Sequence, residues 1–196
     1  MHKRHVMNIG IIDCGGANLN SIYYSFKRIN INASISGSPS ELEEMDAYIL
    51  PGVGSAGIVM NKLKEKNLIN LIKETKKPTL GICIGMQILF DYSEEDNTQC
   101  LGLINGSVKK FQPNNDIKVP QMGWNHVSSD IDSLNGYYYF ANSYFTNNND
   151  YAIGHSYYGQ KFNSIVKKDN FLGCQFHPEK SSDIGEKFIK NFINTI

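Results

Sequence analysis

The sequence predicts an α/β fold with a central mixed, largely parallel sheet, and three observations carry that expectation. Short apolar runs alternate with helix-spaced segments through the first half, glycine-containing turns close those runs, and the second half is dominated by strand-type composition. A strand covered on both faces reads as a continuous apolar run, whereas its crossover helix shows a single apolar stripe.

Residues 7–12 form the first apolar run, bounded by Asp13 and Gly15-Gly16, and read as a buried strand. Leu19, Ile22, Tyr23, Phe26 and Ile29 then recur at helical spacing. Ser38-Pro39-Ser40-Glu41 reads as a helix start, with serine as cap, proline in the first turn and glutamate three residues on. Residues 47–50 predict a second core strand ending at the turn Pro51-Gly52-Val53-Gly54. A helical stretch over 58–75, broken near Asn67, leads to a third buried strand at 78–82 and a helical run over 84–92. Strand composition then marks 107–111, 124–128, 137–145, 151–157 and 162–167. Lys168-Asp169-Asn170 turns the chain into a further strand at 171–176, a hairpin. The closing helix shows one apolar face of Ile184, Phe188, Ile189, Phe192 and Ile193, with Asp183 and Glu186 as its expected capping box. No repeat or linker divides the chain, so residues 1–196 predict one domain, with 1–6 an extension ahead of Met7.

Composition narrows the function classes. Hydrophobic residues make up 41% and charged residues 19%, ordinary values for a globular chain. Nineteen basic residues balance nineteen acidic ones, so no broad field exists to hold nucleic acid or an anionic membrane. No apolar run approaches the roughly 20 residues of a membrane span, and the first apolar stretch is too short for a signal-peptide core. A cytoplasmic location is expected, with free thiols at Cys14, Cys83, Cys100 and Cys174, whose spacing suggests neither zinc ligation nor a disulfide framework.

One of these cysteines stands in a special setting. Gly81-Ile82-Cys83-Ile84-Gly85-Met86-Gln87 lies between an apolar strand and a helical run, the setting of a nucleophile elbow. Glycines two residues either side of Cys83 relieve crowding, and backbone N–H groups at a helix start favour a thiolate. On this heptapeptide alone, a buried cysteine in a glycine-containing turn is as good a reading. A nucleophile needs a base and the base an orienting group. His2 and His5 lie in the extension, and His126 and His155 fall in strand patterns without a nearby acid. Phe176-His177-Pro178-Glu179 instead follows a core strand, and in an extended segment residues two apart point the same way, so Glu179 can reach His177. Pro51-Gly52-Val53-Gly54, at the end of another strand, can aim backbone N–H groups at an oxyanion, although alone it is a common turn.

In this order, the three pieces resemble the class I glutamine amidotransferase family, whose elbow reads GxCxGxQ and whose histidine and glutamate sit in an HPE triplet. Residues 13–19, Pro51-Gly52-Val53-Gly54, Met122-Gly123-Trp124-Asn125, Tyr138-Tyr139-Phe140 and Gln175-Phe176-His177-Pro178-Glu179 are similar, within it, to the glutaminase subunits of imidazole glycerol phosphate synthases. The resemblance spans residues 13 to 179 and implies a three-layer sandwich. It further implies that Cys83 attacks the glutamine side-chain amide, that His177 passes a proton to departing ammonia, and that Glu179 orients His177. Backbone N–H groups of Ile84 and Val53 would hold the oxyanion, and Gly52, Gln87, Glu95, Ser143 and Tyr144 would contact glutamine. No metal or organic cofactor is implied. The implied partner is a (β/α)₈-barrel cyclase in a heterodimer, receiving the ammonia directly, with Trp124 and Tyr138 as contacts or relays. Asn142 and Gln121 depart from the family, which often has histidine at both positions. A related glutaminase feeding a different synthase is the alternative. A non-catalytic binding subunit is disfavoured by the intact Cys83, His177 and Glu179.

Overall fold

Apolar runs with no polar face become the inner strands of the molecule. A computed structural model describes residues 7–15, 19–52, 54–114, 117–147 and 150–196. The expected extension 1–6, the turn residue Gly16 and the oxyanion candidate Val53 lie outside the described residues. In chain order, β1 (Asn8–Ile12), α1 (Leu19–Arg28), β2 (Asn32–Ser36), α2 (Pro39–Glu43) and β3 (Ala47–Leu50) precede the helix pair α3 (Ala56–Glu65) and α4 (Leu68–Glu74). They are followed by β4 (Thr79–Ile82), α5 (Ile84–Gln87), β5 (Phe90–Ser93), β6 (Thr98–Gln99) and β7 (Ile104–Lys110). The remainder is β8 (Gln121–Val127), β9 (Gly136–Asn142), β10 (Tyr144–Phe145), β11 (Ala152–Tyr157), β12 (Lys161–Lys168), β13 (Phe171–Cys174) and α6 (Ser182–Ile193).

Among the described residues the central sheet has seven strands, ordered β11-β12-β13-β4-β3-β1-β2. From β2 to β13 neighbouring strands run parallel, and β12 and β11 return antiparallel. This is the mixed, largely parallel sheet that the sequence predicts, within a three-layer α/β sandwich. Every residue of β3 and β4 is buried, as strands covered on both faces require. A second sheet, ordered β10-β7-β5-β6, and the β8–β9 hairpin flank it.

The register places three chain segments together. Leu50 pairs with Gly81, and Ile82 with Cys174, so β3, β4 and β13 end side by side. Pro51-Gly52, Cys83 and the segment from Gln175 to Glu179 therefore leave the sheet at one edge. Phe176 anchors the last of them: its ring stacks on Tyr138 with centroids 4.0 Å apart and meets Phe188 edge-on at 5.1 Å.

Several sequence expectations change. The helical run over 84–92 is a single turn, α5, and Phe90 begins a strand. Ile84, Met86, Ile88, Leu89 and Phe90 are all buried, so no stripe distinguishes helix from strand. Carbonyls of Ile88 and Leu89 are taken by the N–H groups of Leu101, Leu103 and Ile104, which ends the helix. β2 was not expected: Asn32-Ala33-Ser34-Ile35-Ser36 is mostly exposed, and backbone pairing with β1 defines it. Neither capping box forms. Ser38 makes no side-chain cap, and Glu41 accepts from Ser36 Oγ at 2.5 Å instead. At α6 the cap residue is Ser181, while Glu186 accepts from Arg28 Nε at 3.1 Å, linking α1 to α6. The break at Asn67 is present, with Asn67 in the left-handed region (φ 56°) between α3 and α4. Tyr138, expected as a partner contact or relay, is fully buried, which excludes a direct contact, and donates from its hydroxyl to the Leu134 carbonyl at 3.3 Å.

Candidate active site

The elbow at Cys83 is built by close backbone packing. Cys83 adopts φ 53°, ψ −109°, a conformation that costs a non-glycine residue about 1–3 kcal/mol. It is held there because Cys83 N–H donates to Cys174 O at 2.7 Å and Cys83 O accepts from Met86 and Gln87 N–H at 3.0 and 3.1 Å. A Cβ on Gly85 would lie 1.9 Å from Leu50 O, and one on Gly52 would lie 2.1 Å from Ile82 O. Both glycines let β3 and its following turn press against the elbow. Because α5 is a single turn, support for a thiolate comes from its own N–H groups, not from a long helix dipole.

His177 leaves β13 in extended conformation, and Glu179 lies in the 3₁₀ turn Pro178–Lys180. The two side chains meet through this turn, not along an extended segment as the sequence pattern suggests. His177 Nδ1 and Glu179 Oε1 are 2.9 Å apart, and both side chains are buried. The imidazole is fixed from behind: His177 N–H donates to Tyr139 O at 2.9 Å, and Ser181 Oγ donates to His177 O at 2.7 Å while accepting from Tyr139 N–H at 2.9 Å. Burial pulls the His177 pKa down, but the charge and hydrogen bonding of the Cys83 sulfur, with Glu179, raise it to about 10. The imidazolium is therefore the favoured form of His177. By contrast, burial pushes the thiols of Cys14 and Cys100 up to about 12 and that of Cys174 well above its ordinary range, leaving them inert.

A cavity of about 210 Å³ opens beside the sulfur, lined by Gly52, Cys83, Ile84, Gln87, Glu95, Asn142, Ser143, Tyr144 and His177 among others. The structure thus brings together every expected substrate-contact residue: Gly52, Gln87, Glu95, Ser143 and Tyr144. Gln87 Nε2 donates to Tyr144 O at 3.0 Å and to Gln175 Oε1 at 2.9 Å, leaving Gln87 Oε1 buried without a hydrogen bond among the described residues. Asn142 is arranged alike: Nδ2 donates to Tyr144 O at 3.0 Å, and Oδ1 has no partner among the described residues. Asn142 and Gln121, the two departures, are register partners across the β8–β9 hairpin. Glu95 also accepts from Ala56 N–H at 2.8 Å at the start of α3, and burial raises its pKa. Gln175 was quoted in the motif without a role; its Nε2 lies 3.6 Å from Cys83 Sγ. Its signal in the sequence was only its place two residues before His177.

Outside the cavity, alternate residues of the β8–β9 hairpin face outward. Trp124 lies opposite Tyr139, His126 opposite Tyr137 and Met122 opposite Ala141. Met122, Trp124 and Tyr137 are 68%, 54% and 62% exposed, a large apolar and aromatic face continuous with the cavity through Ala141. Among the described residues no group of three His, Cys, Asp or Glu side chains is placed to hold a metal, and no helix is long and apolar enough to cross a membrane.

Comparisons with known proteins identify the family and the fold. The family model described as glutamine amidotransferase class-I matches residues 10–196. A Campylobacter jejuni (strain RM1221) protein named imidazole glycerol phosphate synthase subunit HisH 2 is 47% identical, over 97% of this chain and 100% of its own length. Imidazole glycerol phosphate synthase subunit HisH of Haemophilus influenzae is 39% identical, over 97% of this chain and 99% of its own. A solved structure described as a glutamine amidotransferase superposes with TM-score 0.76 at 17% identity, covering 95% of this chain and 97% of that one.

Proposed function

Because the chain belongs to the class I glutamine amidotransferase family, and within it to the HisH subunits of imidazole glycerol phosphate synthase, we propose that Cys83, His177 and Glu179 carry out its glutaminase step. The enzyme hydrolyses glutamine to glutamate and ammonia for imidazole glycerol phosphate synthesis in histidine biosynthesis. The observation that carries the site reading is the meeting, at one sheet edge, of a strained cysteine and a buried His177–Glu179 pair over a single cavity.

In this reading the Cys83 thiolate attacks the side-chain amide carbon of glutamine bound in the cavity. The tetrahedral oxyanion takes the N–H of Ile84, which as the first helical residue has no acceptor within α5. Val53 is proposed as the second donor. His177, held protonated by the sulfur and Glu179, gives its proton to the departing ammonia, and water then hydrolyses the thioester. Gly52, Gln87, Glu95, Ser143 and Tyr144 hold the substrate, the unpaired Gln87 Oε1 being an acceptor free for one of its N–H groups. The nitrogen acceptor binds on a (β/α)₈-barrel cyclase, docked on the face of Met122, Trp124 and Tyr137, and ammonia crosses directly to it. The chain acts as one glutaminase domain in the cytoplasm.

Reconstitution with the barrel cyclase tests this. Supplied with glutamine and the cyclase's nucleotide, the complex should form glutamate and imidazole glycerol phosphate in equal amounts. Failure to form that product, with ammonia delivered to another synthase's acceptor, would establish the alternative glutaminase.

A further inference from the structure

We propose that Gln175 is a positioning residue that donates a hydrogen bond to the Cys83 sulfur and ties it to Gln87, making nucleophile and cavity wall one connected unit. The inference rests on the reading of Cys83 as nucleophile, and the network itself fixes the orientation of each amide. Tyr144 O is a backbone carbonyl and can only accept, so the group of Gln87 that faces it at 3.0 Å must be the NH₂. The same NH₂ lies 2.9 Å from the Gln175 side chain, which must therefore present its oxygen there. The remaining end of Gln175, 3.6 Å from Cys83 Sγ, is then its NH₂. No alternative flip satisfies all three contacts.

Gln175 is fully buried, so this donor is not exchanged with water. Its own backbone is fixed by donation to Ser164 O at 2.9 Å, and its successor Phe176 is locked between Tyr138 and Phe188. His177 also hydrogen-bonds the sulfur, from the side of the catalytic pair, whereas Ala141 O at 3.9 Å is an acceptor and gives nothing to a thiolate. A buried hydrogen bond to a charged group favours the charged form, so the Gln175 amide selects the thiolate at a fixed point over the cavity. Because Gln87 orients Gln175, a substrate that engages Gln87 also bears on the sulfur.

The test follows the pH profile of Cys83 alkylation by iodoacetamide in the intact chain, read on the Cys83 peptide by mass spectrometry, without turnover. Gln175→Met conserves length but removes the donor. Its profile should move upward by about one pH unit, with roughly tenfold slower alkylation near neutrality. A merely structural role would lower stability and leave the profile in place. Should the Met variant fail to fold, the side-chain NH₂ signal of Gln175 in the wild-type chain, followed by NMR, should move as Cys83 titrates. An unmoved profile in the folded variant, or an unmoved NH₂ signal, overturns the assignment. Because neither readout needs glutamine hydrolysis, loss of the Gln175 assignment is distinguishable from loss of the nucleophile reading, which only turnover by Cys83→Ala decides.

Discussion

Glu179→Gln probes the link between burial, charge and catalysis most finely. The variant keeps the shape of a side chain that is 1% exposed and 2.9 Å from His177 Nδ1, but removes its charge. His177 is raised from an ordinary 6.5 to about 10 against its burial, with the Cys83 sulfur the larger contributor and Glu179 the second. Each pH unit by which that rise falls when the Glu179 charge is removed costs about 1.4 kcal/mol of imidazolium stabilisation, roughly tenfold in proton donation. The loss of tautomer control adds to this, since an orienting acid replaced by its amide leaves comparable triads with rates reduced by up to about 10⁴. The sign is fixed by the direction: the imidazolium persists below its raised pKa and is lost as pH climbs through it. Glu179→Gln must therefore move the alkaline limb of kcat/KM to lower pH. Glutamate release by the reconstituted complex, measured across the alkaline range, checks it. Wild-type turnover with an unmoved alkaline limb would refute the reasoning.

Other perturbations address the elbow, the core and the docking face. Gly85→Ala places a methyl against Leu50 O and should cost about 3 kcal/mol or more, lowering Tm by about 6–12 °C in a thermal melt. Tyr138→Ala should destabilise the isolated chain by about 3–5 kcal/mol through its lost stacking on Phe176, whereas Trp124→Ala should leave Tm within about 2 °C and weaken cyclase binding roughly thirtyfold by calorimetry. Glutamate release should be slow for the chain alone and rise roughly 10²–10³-fold with cyclase and its nucleotide, as gain of one oxyanion donor at Pro51-Gly52-Val53-Gly54 requires. Equal rates in all conditions would exclude gating.

What the sequence disclosed follows from where side-chain pattern dictates structure. β1, β3 and β4 were legible because strands buried on both faces leave uninterrupted apolar runs, and the break at Asn67 because asparagine tolerates the left-handed region. β2 was not, since its side chains are mostly exposed and only its backbone pairs. The end of α5 is dictated by residues 101–104, which take its carbonyls from a distance that no local window sees. In Tyr137-Tyr138-Tyr139-Phe140 equal side chains conceal the strand alternation, so the sequence does not show that Tyr138, expected as a contact or relay, lies in the core. The proposed triad residues stood out as motifs, whereas the cavity residues were named only through the resemblance. Their mutual geometry depends on the parallel register of β3, β4 and β13, and the tasks of Gln175 and Glu95 on contacts across 92 and 39 positions.

The most direct test of the central claim is Cys83→Ala in the reconstituted complex, assayed once with glutamine and once with an ammonium salt. Glutamine-driven synthesis should vanish while ammonia-driven synthesis by the cyclase proceeds at the wild-type rate, since only the glutaminase step uses the thiol. Glutamine-driven synthesis near the wild-type rate would contradict the account.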